Sequence, residues 1–421
     1  MNIISDLHIH SKYSRATSKQ LSIENLEKYA RIKGVTLLGT GDFQHPIWNK
    51  ELKQNLTETG NGILKTKTDF PFLLSTELSL MYTQGGKGRR VHFVLLAPNF
   101  SVVDQIIESL GKRGRLDYDG RPIFGFSAIE LVEMMNSISS DIEIIPAHVW
   151  TPYFGALGSK SGFDSIEECF QEKTKYIHAL ETGLSSDPPM NWRLESLDKF
   201  NLVSFSDAHS FWPWRIGREA TVFESDLSYN SILNAIRTGK GLIKTIETDP
   251  SYGKYHFDGH RNCNISLDPE QTKKYGGICP VCGRPLTVGV LYRVDELATR
   301  PEGEKAPNAK EFVDLIPLSE LISSFYGIKQ LYSKKVWQVF NQLMDKFGTE
   351  FNVLLNTPGE QISGLLGEKF AQIILKNRQS QIKVKPGYDG VYGEPIFDES
   401  EEVELNQVST FKKKQKTLDQ F

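Results

Sequence analysis

Short apolar runs alternate with helical spacing over the first half of the chain. Between Met1 and about Lys240 the candidate strands are Asn2–Leu7, Val35–Gly39, Phe72–Glu77, Val91–Ala97, Ile142–Pro146, Tyr176–Glu181 and Leu202–Ser206. Between them lie amphipathic stretches such as Ser22–Gly34, where Ile23, Leu26, Tyr29 and Ala30 recur at helical spacing. Ser127-x-x-Glu130 and Ser165-x-x-Glu168 read as capping boxes that open further helices. Alternation of this kind predicts an α/β fold, either a parallel sheet or a (β/α) barrel. A barrel gathers its functional residues at the C-terminal ends of its strands.

The pattern changes near Pro250. From there to Val294 the chain is irregular and rich in glycine, and a Cys/His set appears. Helical spacing returns from Glu311, with Lys334–Phe347 and Pro358–Lys376 as predicted helices. Pro386 to Glu394 reads as a turn-rich loop closing that region. Asp398–Glu404 is acidic and Lys412–Lys414 basic, which predicts a disordered linker. The expected division is 1–245, 250–300, 305–395 and a tail over 396–421.

Ligand-type side chains sit where the predicted strands end. The first run stops in His8-Ile9-His10 and the last in Asp207-Ala208-His209. Residues two apart on a strand share a face, so each pair can chelate. Asp42, His45, Glu77, His92, His148 and Glu181 fall at or near other strand ends. A carboxylate such as Glu77 can bridge two cations. Imidazoles favour zinc, manganese or iron over magnesium. Paired cations of this sort hydrolyse phosphate esters. Glu181 is expected to orient a ligand histidine, and His178 to point elsewhere. A lone histidine is more often a packed or hydrogen-bonded residue; the conjunction is what carries the reading.

A second set is His260-x-x-Cys263 followed by Cys279-x-x-Cys282. Two ligand pairs separated by a loop predict one closed structural zinc site, with His256 as an alternative to His260. Lys254 and Arg261 lie beside it, interleaved with Tyr252, Tyr255 and Tyr275, a mixture suited to phosphate contact and base stacking.

The chain has 421 residues and a formal net charge of −3, so several domains are expected and any nucleic-acid affinity must be local. Four cysteines do not make a disulfide scaffold. No run of about 18 apolar residues exists and no basic-then-apolar start, which predicts a cytoplasmic protein without a membrane span.

The His-x-His, a central Glu, two separate His and a final Asp-x-His resemble the PHP (polymerase and histidinol phosphatase) superfamily. That resemblance implies a distorted seven-stranded (β/α) barrel with two or three divalent metals (zinc, manganese or magnesium). Its ligand pattern maps onto His8, His10, Glu77, His92, His148, Asp207 and His209, with catalytic roles centred on Asp207, His10 and Glu77. One departure stands out. The superfamily's Thr-Asp-His is replaced by Thr40-Gly41-Asp42-Phe43-Gln44-His45, which leaves Asp42 and His45 as alternative or joint ligands.

The chain as a whole resembles the endonuclease Q family within that superfamily. The resemblance rests on the zinc module after the barrel, Gly259-His-Arg-Asn-Cys263, Leu354-Leu-Asn-Thr-Pro358 and Lys385-Pro-Gly-Tyr-Asp-Gly-Val-Tyr392. It implies a prokaryotic DNA repair enzyme that cuts 5′ to deaminated bases (hypoxanthine, uracil, xanthine) and to abasic sites. A flipped-out nucleotide then needs a pocket, for which the loops 150–162 and 210–218 are candidates. They carry Tyr153, Phe154, Trp212 and Trp214, with Arg215 and Arg218 available for flanking phosphates. Gln415, Leu418 and Phe421 are similar to a clamp-binding box, which implies a PCNA-type sliding clamp as partner and an archaeal source. The expected enzyme is a monomer. Other function classes to be distinguished are a PHP phosphoesterase acting on a small phosphomonoester and a non-catalytic DNA-binding scaffold.

Overall fold

The computed structural model describes residues 1–397 of the chain. The acidic run, the lysines that follow and Gln415, Leu418 and Phe421 lie outside them. Each apolar run singled out above contains a strand. Asn2–Asp6 pairs in parallel with Leu37–Gly39, which pairs in parallel with Pro71–Gln84. On its other side Asn2–Asp6 runs antiparallel to Ala220–Glu224, and that strand runs antiparallel to Leu242–Glu247. The result is one large mixed sheet, with a smaller parallel pair formed by Ala179–Glu181 and Asn201–Val203.

Strict strand–helix alternation does not hold. Pro71–Gln84 and Lys87–Ala97 form a long antiparallel hairpin, and Glu143–Pro146 adds to it antiparallel. The hairpin turns at Gly85-Gly86, both at positive φ, the backbone that matches the twist of a two-residue turn. Single backbone hydrogen bonds tie the smaller pair to its neighbours. Val149 N–H donates to Glu181 C=O at 3.1 Å, and His10 N–H to Ala208 C=O at 3.0 Å. The predicted strand Leu202–Ser206 stops at Val203. Beyond it the amides turn to side chains: Ser204 N–H donates to Thr221 Oγ1, and Ser206 N–H to Asp6 Oδ1.

The helices follow their caps. Ser22 accepts from Asn25 N–H and opens Ile23–Lys33, which buries Ile23, Leu26 and Ala30. Ser127 and Glu130 form the reciprocal box. Ser165 caps its helix, but Glu168 reaches past it to Asp164 N–H and to Arg89. The predicted helix Pro358–Lys376 is two helices, Gly359–Leu366 and Glu368–Arg378. They break at Gly367, whose φ of 87° and ψ of 161° are open only to glycine.

The C-terminal helices pack onto the sheet region through one continuous core. Lys33 and Glu350, both buried, form an ion pair at 2.7 Å across this contact. Trp212 and Trp214 stack on each other and face Trp337 of Lys334–Phe347 at 5.8 and 6.1 Å. Glu311–Asp314 joins the edge of the large sheet, parallel to Leu242–Glu247. The loop 386–394 docks on the Cys/His region: Asp389 accepts from Arg261 N–H and Thr287 Oγ1, and Tyr388 donates to Asn264. No helix of the described residues is long and apolar enough to cross a membrane.

Candidate metal centre

Residues far apart in sequence converge at one rim of the sheet. His8, His10, Glu77 and Asp207 bring their ligand atoms within 4.8 Å of one another, and so do Glu77, His92 and His148. Glu77 belongs to both groups and divides them by its oxygens. Oε2 lies 3.5 Å from His8 Nε2 and 3.1 Å from His10 Nε2. Oε1 lies 2.6 Å from His92 Nδ1 and 3.2 Å from His148 Nε2. Asp207 Oδ1 closes the first group at 2.9 Å from His10 Nε2.

The local backbone serves this convergence. Asp42, His148 and Asp207 all take positive φ, at 45°, 32° and 49°. Non-glycine residues pay for that conformation in strain, and such residues concentrate at functional sites.

Behind the imidazoles stands a row of acceptors. Glu181 lies 2.9 and 3.1 Å from His8 Nδ1 and also accepts His148 N–H at 2.8 Å. Asp42 Oδ1 lies 3.1 Å from His10 Nδ1, while Oδ2 accepts from Ser11 and Ser14. Each contact leaves the opposite ring nitrogen facing Glu77. Asp42 therefore sits behind His10, outside both groups. His45 is also outside them; it precedes Pro46–Asn55 and stacks on Tyr13 at 4.5 Å. His209 stands beside the first group, its ring 4.5 Å from that of His10 and its Nδ1 2.8 Å from Asp207 C=O. His178 pairs with Glu143, away from the centre.

The electrostatics fit cation binding. His8 Nε2, His10 Nε2 and Asp207 Oδ1 are buried without a hydrogen bond. Burial pushes the Glu77 carboxyl up, but Arg121, His92 and His8 outweigh it and hold it well below the usual range. Burial pushes His92 down to about 4, whereas against the same burial the carboxylates around His8, His10 and His148 raise those rings, protons that a cation would displace. Imidazole nitrogens and carboxylates crowded into one space are the donor types of a divalent-cation site.

Arg121 carries no motif in the sequence. Its Nη1 donates to Glu77 Oε2 at 2.9 Å. The available signal is the turn string Asp119-Gly120-Arg121-Pro122, which ends a loop and precedes the short strand Ile123–Phe124.

The second set also assembles: His260, Cys263, Cys279 and Cys282 have ligand atoms within 4.8 Å of one another. Cys282 Sγ is 3.3 Å from His260 Nδ1. Zinc–sulfur bonds of about 2.3 Å in a tetrahedron set ligands ~3.8 Å apart, so the set matches one ion. The second knuckle is held by Cys279 N–H on Arg284 C=O and Gly283 N–H on Cys279 C=O. Burial raises the Cys279 thiol, but amides of Cys282 and Val281 and the His260 ring bring it down to about 7. His256 is not in the set; it stacks on Phe257.

The DNA-contact candidates divide. Tyr153, Lys254, Arg215 and Arg261 are exposed or half-buried, with Lys254 over the Tyr392 ring at 4.7 Å. Phe154 packs on His92 at 4.3 Å. Arg218 is buried on Thr248 and Glu320, and Trp214 is buried in the aromatic cluster with Trp212.

Residues 317–381 match the family model described as MJ0043 C-terminal domain. The uncharacterized protein MJ0043 of Methanocaldococcus jannaschii is 34% identical over 241 residues, which are 56% of this chain and 30% of that protein. The crystal structure of the lesion-specific endonuclease PfuEndoQ from Pyrococcus furiosus is 32% identical, with a TM-score of 0.85 over 95% of this chain and 96% of that one. The chain belongs to the endonuclease Q family. A second endonuclease Q structure, in complex with a 27-mer duplex substrate bearing an abasic lesion at its active site, has a TM-score of 0.84 and 32% identity. It covers 95% of this chain and 98% of that one. Endonuclease Q membership thus spans the sheet, the Cys/His set and the C-terminal helices together.

Proposed function

We propose that the chain is a metal-dependent DNA repair endonuclease that cuts the phosphodiester 5′ to hypoxanthine, uracil, xanthine and abasic sites. The observation that carries the reading is Glu77, shared by two imidazole groups through opposite oxygens, in a chain whose relative was solved with an abasic duplex. His8, His10, Asp207 and Glu77 Oε2 would hold one divalent ion; His92, His148 and Glu77 Oε1 the other. His209 joins the first group from beside Asp207. When bound, the ions supply Lewis acidity and lower the pKa of water at the reacting phosphorus. The protein's part is to fix them: Glu181 and Asp42 lock ring orientation, and His92 stays neutral. The ring of strands that carries these residues is read as the seven-stranded barrel of the PHP superfamily, closed at Val149–Glu181 and His10–Ala208.

The remaining parts follow the substrate. Tyr153 and the loop around it border the centre and suit a flipped nucleotide. Lys254, Arg261 and Arg215 suit backbone phosphates. The structural zinc and the C-terminal helices grip DNA on either side. The pattern at Gln415, Leu418 and Phe421 supports a sliding-clamp partner, to be tested by loss of clamp stimulation in Phe421→Ala.

The test uses short duplexes carrying hypoxanthine, uracil, an abasic site or no lesion, with and without a chelator. Chelator-sensitive cleavage 5′ to the lesion is expected, and Asp207→Asn is expected to bind without cutting. Hydrolysis confined to small phosphomonoesters would overturn the reading.

A further inference from the structure

Arg121 reaches the candidate centre at Glu77, the carboxylate its two ligand groups share. Among the described residues it is the one Arg or Lys in ion-pair contact with either ligand group. Glu77 is fully buried, while the Arg121 side chain is 27% exposed. The guanidinium therefore touches the shared carboxylate while its side chain keeps some contact with solvent. It has five N–H donors in a planar fork. One hydrogen bond goes to Glu77, and the side chain bonds to no other described residue.

The loop that carries Arg121 is fixed from several directions. Asp119 Oδ1 accepts Arg121 N–H at 3.1 Å and Arg15 N–H at 3.3 Å. Gly120 N–H donates to Tyr13 C=O, and Gly120 C=O accepts from Gln44. Pro122 C=O accepts from Ser79 N–H, two residues beyond Glu77. A Cβ at Gly120 would collide with Asp42 Oδ2 and Ser14 Oγ, so the loop packs closely on the carboxylate that holds His10. Arg121 is thus placed by the same framework that places the imidazoles.

We propose that Arg121 receives a non-bridging oxygen of the scissile phosphate. The inference rests on the phosphodiester reading above and deepens it. A cation held by His8, His10, Asp207 and Glu77 would compete with Arg121 for Glu77 Oε2 and would leave the guanidinium free for the phosphate. A planar fork meets two phosphate oxygens in a way an ammonium does not. In-line displacement adds charge on those oxygens, so the contact strengthens as the reaction proceeds.

The measurement that decides it is binding. Calcium replaces the catalytic cation to slow cutting, and affinity is read by fluorescence anisotropy on lesion duplexes whose scissile linkage is a phosphodiester or a neutral methylphosphonate. With Arg121 intact, the charged linkage is expected to bind about 10-fold tighter or more. Arg121→Gln is expected to erase that preference while metal content per chain is unchanged. A preference that survives in Arg121→Gln overturns the proposal. So does loss of bound metal, which would make the residue a support for Glu77 alone. Arg121→Lys keeps the charge without the fork and is expected to keep only part of the preference; full retention there also counts against the proposal. Failure of the DNA reading is separable. On bis(4-nitrophenyl) phosphate the Arg121 defect in phosphodiester hydrolysis persists even when no lesion duplex is cut.

Discussion

Glu181 grips His8 by its Nδ1 edge, 2.9 and 3.1 Å from the two carboxylate oxygens, and so turns Nε2 toward Glu77. An imidazole fixed in this way keeps one tautomer and a fixed ring plane. Glu181→Gln is therefore expected to weaken the ion held by His8 about 10–100-fold with little change in fold. Competition with a chromophoric chelator reads that shift, and an unchanged affinity counts against the orienting role.

The Cys/His set is predicted to be independent of the shared-carboxylate centre. Cys282→Ser should lower zinc content by one ion per chain and leave the ions at Glu77 in place. Elemental analysis of the purified variant checks both halves. Loss of both kinds of site together would show that the module and the centre are coupled.

Gly367 separates two helices at a backbone angle open only to glycine. Gly367→Ala is expected to cost about 1–3 kcal/mol. Denaturant unfolding measures it. A neutral result would mean that the break relaxes into one continuous helix, as the hydrophobic spacing alone predicts.

Glu247 gives a pH dependence with a definite sign. Burial beside the Glu219 carboxyl pushes its carboxyl up to about 8, against hydrogen bonds from Ser204 and Thr182. The folded state therefore keeps a proton that the unfolded chain has lost above its ordinary value near 4.5. This contribution to stability is full below that value and is lost as pH rises through about 8. Glu247→Gln keeps the shape and cannot ionise, so its melting temperature should gain on the parent's between pH 5 and pH 9. A constant difference across that range would show that the carboxyl titrates normally.

Much of this was legible in the strand ends. Side chains two apart on a strand share a face, so the spacing of His8 and His10 predicts the convergence their rings show. The positions of the strands followed from apolar runs for the same reason. The hairpin did not, because polar residues from Lys87 to Arg90 interrupt the apolar pattern while the ladder continues beneath them. Asp42 and His45 could not be ranked, since only the chain path decides which one meets His10. Arg121 was invisible because a close approach of Gly120 to Asp42, across the fold, is what aims it. The tryptophans of the 210–218 loop read as a pocket, yet their rings were claimed by Trp337, more than a hundred residues on.

The Lys33–Glu350 pair has a consequence for the birth of the molecule. Its partners are 317 residues apart, and the ammonium's other contacts are the carbonyl of Pro213 and the ring of Phe351, which also comes late in the chain. On a ribosome the first helix emerges long before its counter-ion is synthesised. Lys33 cannot be paired with Glu350 until that residue has been made, so nascent chains stalled near residue 300 are expected to be more protease-sensitive around Lys33 than the finished protein.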